Sequence, residues 1–167
     1  MDATAIQQLI AYIPRVKSRT QRLFPFIPPD KIEWTYREGK FTIGDIIRHL
    51  ALIERNMYAE SLQSKPIKYT GCGIEYAEGY EQVIQFYRDM QEESMGIISG
   101  LGLETLLGKC PTPAGTMITA WKWLRAMIEH EIHHRGQLYT YLGILGVDPP
   151  PIYGLTSEEL VSLSDNK

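Results

Sequence analysis

The chain has 167 residues, 44% of them hydrophobic and 22% charged, with a net charge of −3; this is the profile of one globular domain, 1–167, long enough to bury a core without staples. No run of Lys or Arg offers the phosphate neutralisation that nucleic-acid binding needs, and no apolar run approaches the ~18 residues that cross a bilayer. The first twenty residues lack a basic start, apolar block and small-residue cleavage site, and Cys72 and Cys110 stand apart as ordinary thiols, so a reducing cytoplasm is the expected compartment.

Ala5 to Leu23 carries Ile6, Leu9, Ile10, Ile13 and Val16 at helical spacing. Pro14 should kink this helix or start a new one, because its ring denies an N–H to the preceding turn. Pro25-Phe-Ile-Pro-Pro29 ends it, and Asp30 to Lys40 is a connector whose Trp34 and Tyr36 are expected to pack down over the core. Thr42-Ile-Gly-Asp45 reads as an N-cap with an acid three residues on, opening a second helix that runs to Gln63. One face of it carries Ile46, His49, Ile53, Asn56 and Met57, while Arg48, Glu54 and Arg55 point elsewhere. Lys65-Pro66 stops it, and Lys68 to Glu78 is a loop. A third helix from Tyr80 to Ile98 buries Val83, Ile84, Tyr87, Met90, Ile97 and Ile98.

Glu104 to Gly115 reads as irregular structure with room for a short strand or turn. Thr116 is the expected cap of a long fourth helix that ends at Gly146. The Pro149–Pro151 run makes a stiff exit, and Thr156-Ser-Glu-Glu159 can cap a last short helix. Long helical patterns with neither strand alternation nor an internal repeat give an all-α four-helix bundle. Gly136, Thr140 and Gly143 form a stripe of small side chains on the fourth helix, a gap for another helix of the bundle or of a second subunit.

The chemistry concentrates in Met127-Ile-Glu-His-Glu-Ile-His-His-Arg-Gly-Gln137, which holds three of the four histidines. A helix turns about 100° per residue, so His130 and His134 share a face one turn apart, with Trp123, Met127, Gln137 and Tyr141, and His133 lies at its edge. Two imidazoles at that spacing can grip one metal ion, and a metal satisfies ring nitrogens that an apolar face would leave unpaired. If the second and fourth helices pack side by side, His49 joins them. Three protein ligands leave a coordination position for water or substrate. Gln137, one turn past His134, and Asn56, two turns past His49, face the same space as candidate outer contacts of the ligands or contacts to substrate, or else as solvent-exposed amides at the mouth of the site.

Three stretches resemble the DinB/YfiT-like superfamily of bacterial four-helix proteins, also called damage-inducible. They are Gly44-Asp-Ile-Ile-Arg-His49-Leu-Ala-Leu-Ile-Glu54, His130-Glu-Ile-His-His134-Arg-Gly-Gln137, and the Leu145-Gly-Val-Asp-Pro149 exit to Tyr153, with Trp34 ahead of the second helix. The resemblance implies an up-down-down-up bundle, often a homodimer, holding zinc or nickel through His49, His130 and His134.

Three readings of function remain open. In the first, a metal-dependent enzyme activates a low-molecular-weight thiol or water against a small molecule, as the resemblance to thiol S-transferases and metal hydrolases implies; Glu131 and His133 are the nearby candidates for a base, neither assigned. In the second, His130-Glu131-Ile-His-His134 is the H-E-x-x-H of a zinc protease. Thr140 stands where the extended motif needs a histidine, leaving a distant Glu158 as the downstream ligand. In the third, the metal is structural and the protein binds a partner or ligand without catalysis.

Overall fold

The computed structural model describes residues 2–165. Its first helix, α1 (Ala3–Gln21), is opened by Asp2, whose carboxylate accepts the Ala5 amide at 2.8 Å. The helix runs through Pro14 as one element instead of starting afresh there. Pro14 lies on the exposed side, where solvent can take the unpaired carbonyl, while Ile6, Ile13 and Val16 keep the other side seated in the core. After short 3₁₀ turns at Phe24–Phe26 and Pro29–Lys31, Thr42 opens α2 (Ile43–Ile53) with the expected capping box: its hydroxyl accepts from the Asp45 amide and its amide donates to the Asp45 carboxylate, each at 2.9 Å. The helix then widens into a π segment, Glu54–Ala59, and closes with α3 (Glu60–Leu62).

A crossover, 63–79, leads to α4 (Tyr80–Ser99), entered through Gly79 at φ +81°, a left-handed conformation that favours glycine. On α4, Met90 and Ile97 are only partly buried, and Ser94 takes an interior place. The chain continues through α5 (Leu103–Leu107), β1 (Lys109–Pro111), β2 (Met117–Thr119), α6 (Ala120–Ile144) and α7 (Ser157–Asp165).

Thr116 does not cap the long helix. It closes a hairpin in which its carbonyl accepts the Thr112 amide at 2.8 Å, and β1 pairs antiparallel with β2, Cys110 opposite Ile118. The β-branched Ile118 and Thr119, following Gly115 at φ +77°, suit a pleated strand better than a first helical turn, so α6 begins only after Thr119. It ends as expected at Gly146 (φ +74°), where Val147 N–H donates to Leu142 O at 2.9 Å in a Schellman closure. Thr156 and Glu159 form their reciprocal cap ahead of α7.

Two apolar clusters define the topology. One gathers Leu23 and Phe24 after α1, Ile43 and Ile46 from the start of α2, Val83 and Ile84 from the start of α4, and Leu138 and Leu142 from the end of α6. The other gathers Ile6 from the start of α1, Tyr58 and Leu62 beyond α2, Ile98 from the end of α4, and Leu124 from the start of α6. Hence α1 and α6 run one way and α2 and α4 the other: an up-down-down-up four-helix bundle. Trp34 packs against the first cluster, its ring 5.7 Å from that of Tyr141. Tyr36 touches Tyr141 at 5.5 Å but stays half exposed.

Arg48 and Glu54 do not point outward; they are 0% and 2% exposed. Between the two clusters Lys17 of α1 pairs with Glu54 and with Glu131 of α6, the latter at 3.1 Å. The hydroxyl of Tyr87, from α4, donates to Glu131 at 2.9 Å. All four bundle helices therefore meet in one buried polar layer. No helix among the described residues is long and apolar enough to cross a membrane.

Candidate metal centre

The capping box at Thr42 sets where α2 begins and so which of its side chains face α6. His49 is one of them. Its Nε2 lies 3.0 Å from Nε2 of His130, and ring centroids are 5.0 Å apart for His49–His130, 4.8 Å for His49–His134 and 4.5 Å for His130–His134. One ligand atom from each of the three falls within 4.8 Å of the others. Metal–nitrogen bonds of ~2.0–2.1 Å space tetrahedral ligands about 3.3 Å apart, so small ring movements suffice to close on a single ion. No second group of three metal-ligating side chains is gathered among the described residues.

Hydrogen bonds on the far side of the rings select the nitrogens. The Tyr141 hydroxyl donates to Phe41 O at 3.1 Å and accepts from Gln137 Nε2 at 3.2 Å. Gln137 Oε1 is thereby left to accept from His134 Nδ1, 3.0 Å away, which turns the Nε2 lone pair of His134 inward. On His49, Nδ1 meets the Tyr69 hydroxyl at 2.8 Å. Phe41 and Tyr69 flank His49 with ring centroids at 5.3 and 5.6 Å, and Tyr58 stands 6.1 Å from His130.

These apolar surroundings keep the imidazoles uncharged. Burial, helped by the charge of His134, lowers His49 to about 4. Burial and the neighbouring His134, His49, Lys17 and His133 lower His130 to about 3. Burial lowers His134 as well, against the bond to Gln137. Near neutral pH three unprotonated rings converge, a donor set suited to a borderline divalent ion.

The other candidate residues fall elsewhere. Glu131 is not at the surface: the 100° step from His130 turns it into the polar layer, 2% exposed and held by Lys17 and Tyr87, from where its charge still acts on His134. The general base that the H-E-x-x-H reading requires is thus occupied in the interior. Glu158, its downstream ligand, lies on the wholly exposed α7, while His49 on α2 supplies the third ring. His133 is exposed, with its ring 4.9 Å from that of His134. Asn56 sits in the π segment; its carbonyl accepts the Lys68 amide at 2.9 Å, and its side chain forms no hydrogen bond among the described residues. The wider π turn takes Asn56 off the register that an unbroken α-helix would give it. Of the two irregular stretches, the 63–79 crossover reaches His49 through Tyr69, whereas Leu106 and Cys110 belong to the second apolar cluster. Tyr69 carried no periodic or motif signal that could have marked it.

Comparisons with known proteins agree with this architecture. Residues 12–138 match the family model of the DinB superfamily. A DinB-like protein of Bacillus subtilis, YjoA, is similar in structure with a TM-score of 0.70 at 21% identity, over 88% of this chain and 97% of that one. YfiT from Bacillus subtilis, described as a probable metal-dependent hydrolase with an unusual four-helix bundle topology, matches with a TM-score of 0.64 at 15% identity over 86% and 90% of the two chains. A mutant form of the mycothiol-dependent maleylpyruvate isomerase matches with a TM-score of 0.63 at 12% identity over 80% of this chain and 60% of that one. Comparison with curated proteins gave no significant match. With the family model spanning most of the bundle and the fold matching structures of the same kind, the chain belongs to the DinB superfamily.

Proposed function

We propose that the protein is a metal-dependent enzyme that acts on a small molecule, holding one divalent ion, zinc or nickel, through Nε2 of His49, His130 and His134. The observation that carries this reading is the convergence of three uncharged rings from two helices, with no fourth protein ligand gathered beside them among the described residues. An ion bound there lowers the pKa of a coordinated water or thiol and supplies a nucleophile near neutral pH. The chain's own part is to hold the rings: Gln137 and Tyr69 bond the outer nitrogens, and Phe41 and Tyr58 give the site apolar walls. Water as nucleophile follows the description of YfiT, and a low-molecular-weight thiol follows the mycothiol-dependent relative. We also take the chain to be a homodimer in a reducing cytoplasm; the exposed small-residue stripe on α6 supports the dimer.

The test is metal analysis of untagged protein with zinc and nickel titrated against a chromophoric chelator. One ion per chain is expected in the wild type, none in His49→Ala, and one in His133→Ala. Retention of full affinity by His49→Ala would overturn the reading. An open coordination position is checked separately by an exchangeable water on the ion, which a purely structural site lacks.

A further inference from the structure

We propose that Tyr69 is a positioning residue for His49, so that the 63–79 crossover belongs to the metal centre; this rests on the reading of the three histidines as ligands. A neutral imidazole carries one proton on two nitrogens. For Nε2 of His49 to ligate an ion, that proton must sit on Nδ1, where a half-buried N–H is held in place by an acceptor. The Tyr69 hydroxyl stands there at 2.8 Å, with the two rings edge to face at 84°. With Nδ1–H donating to Oη, Nε2 faces His130 with its lone pair.

The loop is anchored on both sides of Tyr69. Immediately before it, the Lys68 amide donates to the Asn56 carbonyl in the π segment at 2.9 Å. Three residues after it, the Cys72 carbonyl accepts from Arg48 Nε at 3.0 Å, and farther along Ala77 O accepts from Arg48 Nη1 at 2.9 Å. Arg48 is the residue before His49, fully buried, and its guanidinium is held in turn by Glu33 at 2.7 and 2.9 Å and by Asp45 at 2.7 Å. The stretch of helix that presents His49 therefore also fixes the loop that orients it. That accounts for a fully buried arginine on α2: it fastens the partner of the adjacent ligand.

The experiment compares untagged wild type, Tyr69→Phe and Tyr76→Phe, with Zn²⁺ alone and then Ni²⁺ alone titrated against a chromophoric chelator. Tyr76, on the same loop, bonds Thr70 and touches no histidine. Tyr69→Phe keeps the ring and removes the acceptor, and roughly 10- to 100-fold weaker binding is expected, the size of effect known for lost outer partners of metal-bound histidines, with Tyr76→Phe unchanged. Long-range ¹H–¹⁵N correlation spectra of the ion-free proteins read the His49 tautomer directly: Nδ1–H in the wild type, shifted towards Nε2–H in Tyr69→Phe. Equal affinities for wild type and Tyr69→Phe, equal weakening in both variants, or an Nε2–H tautomer in the wild type would each overturn the proposal. A wild type that binds neither ion would sink the metal reading, and the tautomer spectra would still decide the role of Tyr69.

Discussion

At the scale of single residues, the three imidazoles are tuned to stay neutral, and this has a consequence for stability. His49 and His130 titrate near 4 and 3 in the folded chain against 6.5 for a free histidine. As pH falls below 6.5, the unfolded chain takes up protons that the folded chain refuses, so the ion-free protein should lose stability between pH 6.5 and about pH 3. The contribution is fully present above 6.5 and gone once the folded rings are themselves protonated. Urea midpoints measured in chelator across this range should fall for the wild type and fall less for a His49→Gln/His130→Gln variant. Identical pH slopes for the two proteins would contradict the assignment.

At the scale of elements, the polar layer is the tie between helices. Lys17 brings one positive charge from α1 to two carboxylates, Glu54 beyond α2 and Glu131 on α6, and Tyr87 of α4 completes it. Burial and the Glu131 charge outweigh Lys17 and push the Glu54 carboxyl above its ordinary value, while the two carboxylates overcome burial and raise Lys17. Removing the cation leaves two buried acids unpaired, so Lys17→Met should cost about 3–5 kcal/mol in urea unfolding, and adding Glu54→Gln and Glu131→Gln should restore much of it. A Lys17→Met protein as stable as the wild type would mean that the layer holds nothing together. The layer also explains why Glu131, next to His130 in sequence, is not free to act as a base: its carboxylate is committed to Lys17 of α1 and Tyr87 of α4.

At the scale of the whole molecule, the α6 stripe faces away from the bundle. Gly136, Thr140 and Gly143 are exposed, and a Cβ built on either glycine meets nothing within 4 Å; no helix among the described residues fills the gap. Ile132 and Ile144 are 36% and 57% exposed on the same helix. Small side chains bordered by apolar ones let a second helix approach closely, which suits the same helix of a second copy. Light scattering should give the mass of two chains for the wild type and one for Thr140→Arg, whose long charged side chain would occupy the seam. A monomeric wild type at micromolar concentration would end the dimer proposal.

The features written into the sequence are those with a local cause. The His130–His134 spacing, the Thr42–Asp45 and Thr156–Glu159 caps and the Gly146 stop each depend on a few neighbouring residues and one helical turn, so they were readable directly. His49 was legible as a ring on an apolar helix face, and only the packing of α2 on α6 made it a neighbour of the other two. Arg48, Glu54 and Glu131 look like surface charges because periodicity assigns a charge to water unless a partner is known; their partners lie 114 residues away for Lys17 and Glu131 and 29 for Arg48 and Ala77. The Met117–Thr119 strand needed a pairing partner across a hairpin to beat the helix that follows it. Tyr69, on a loop without period or motif, acquired its place only when the crossover was tied down at both ends. Local hydrogen bonding and side-chain spacing determine the helices and their caps, whereas desolvated charge and convergent rings depend on contacts between distant segments, which exist only once the bundle has closed.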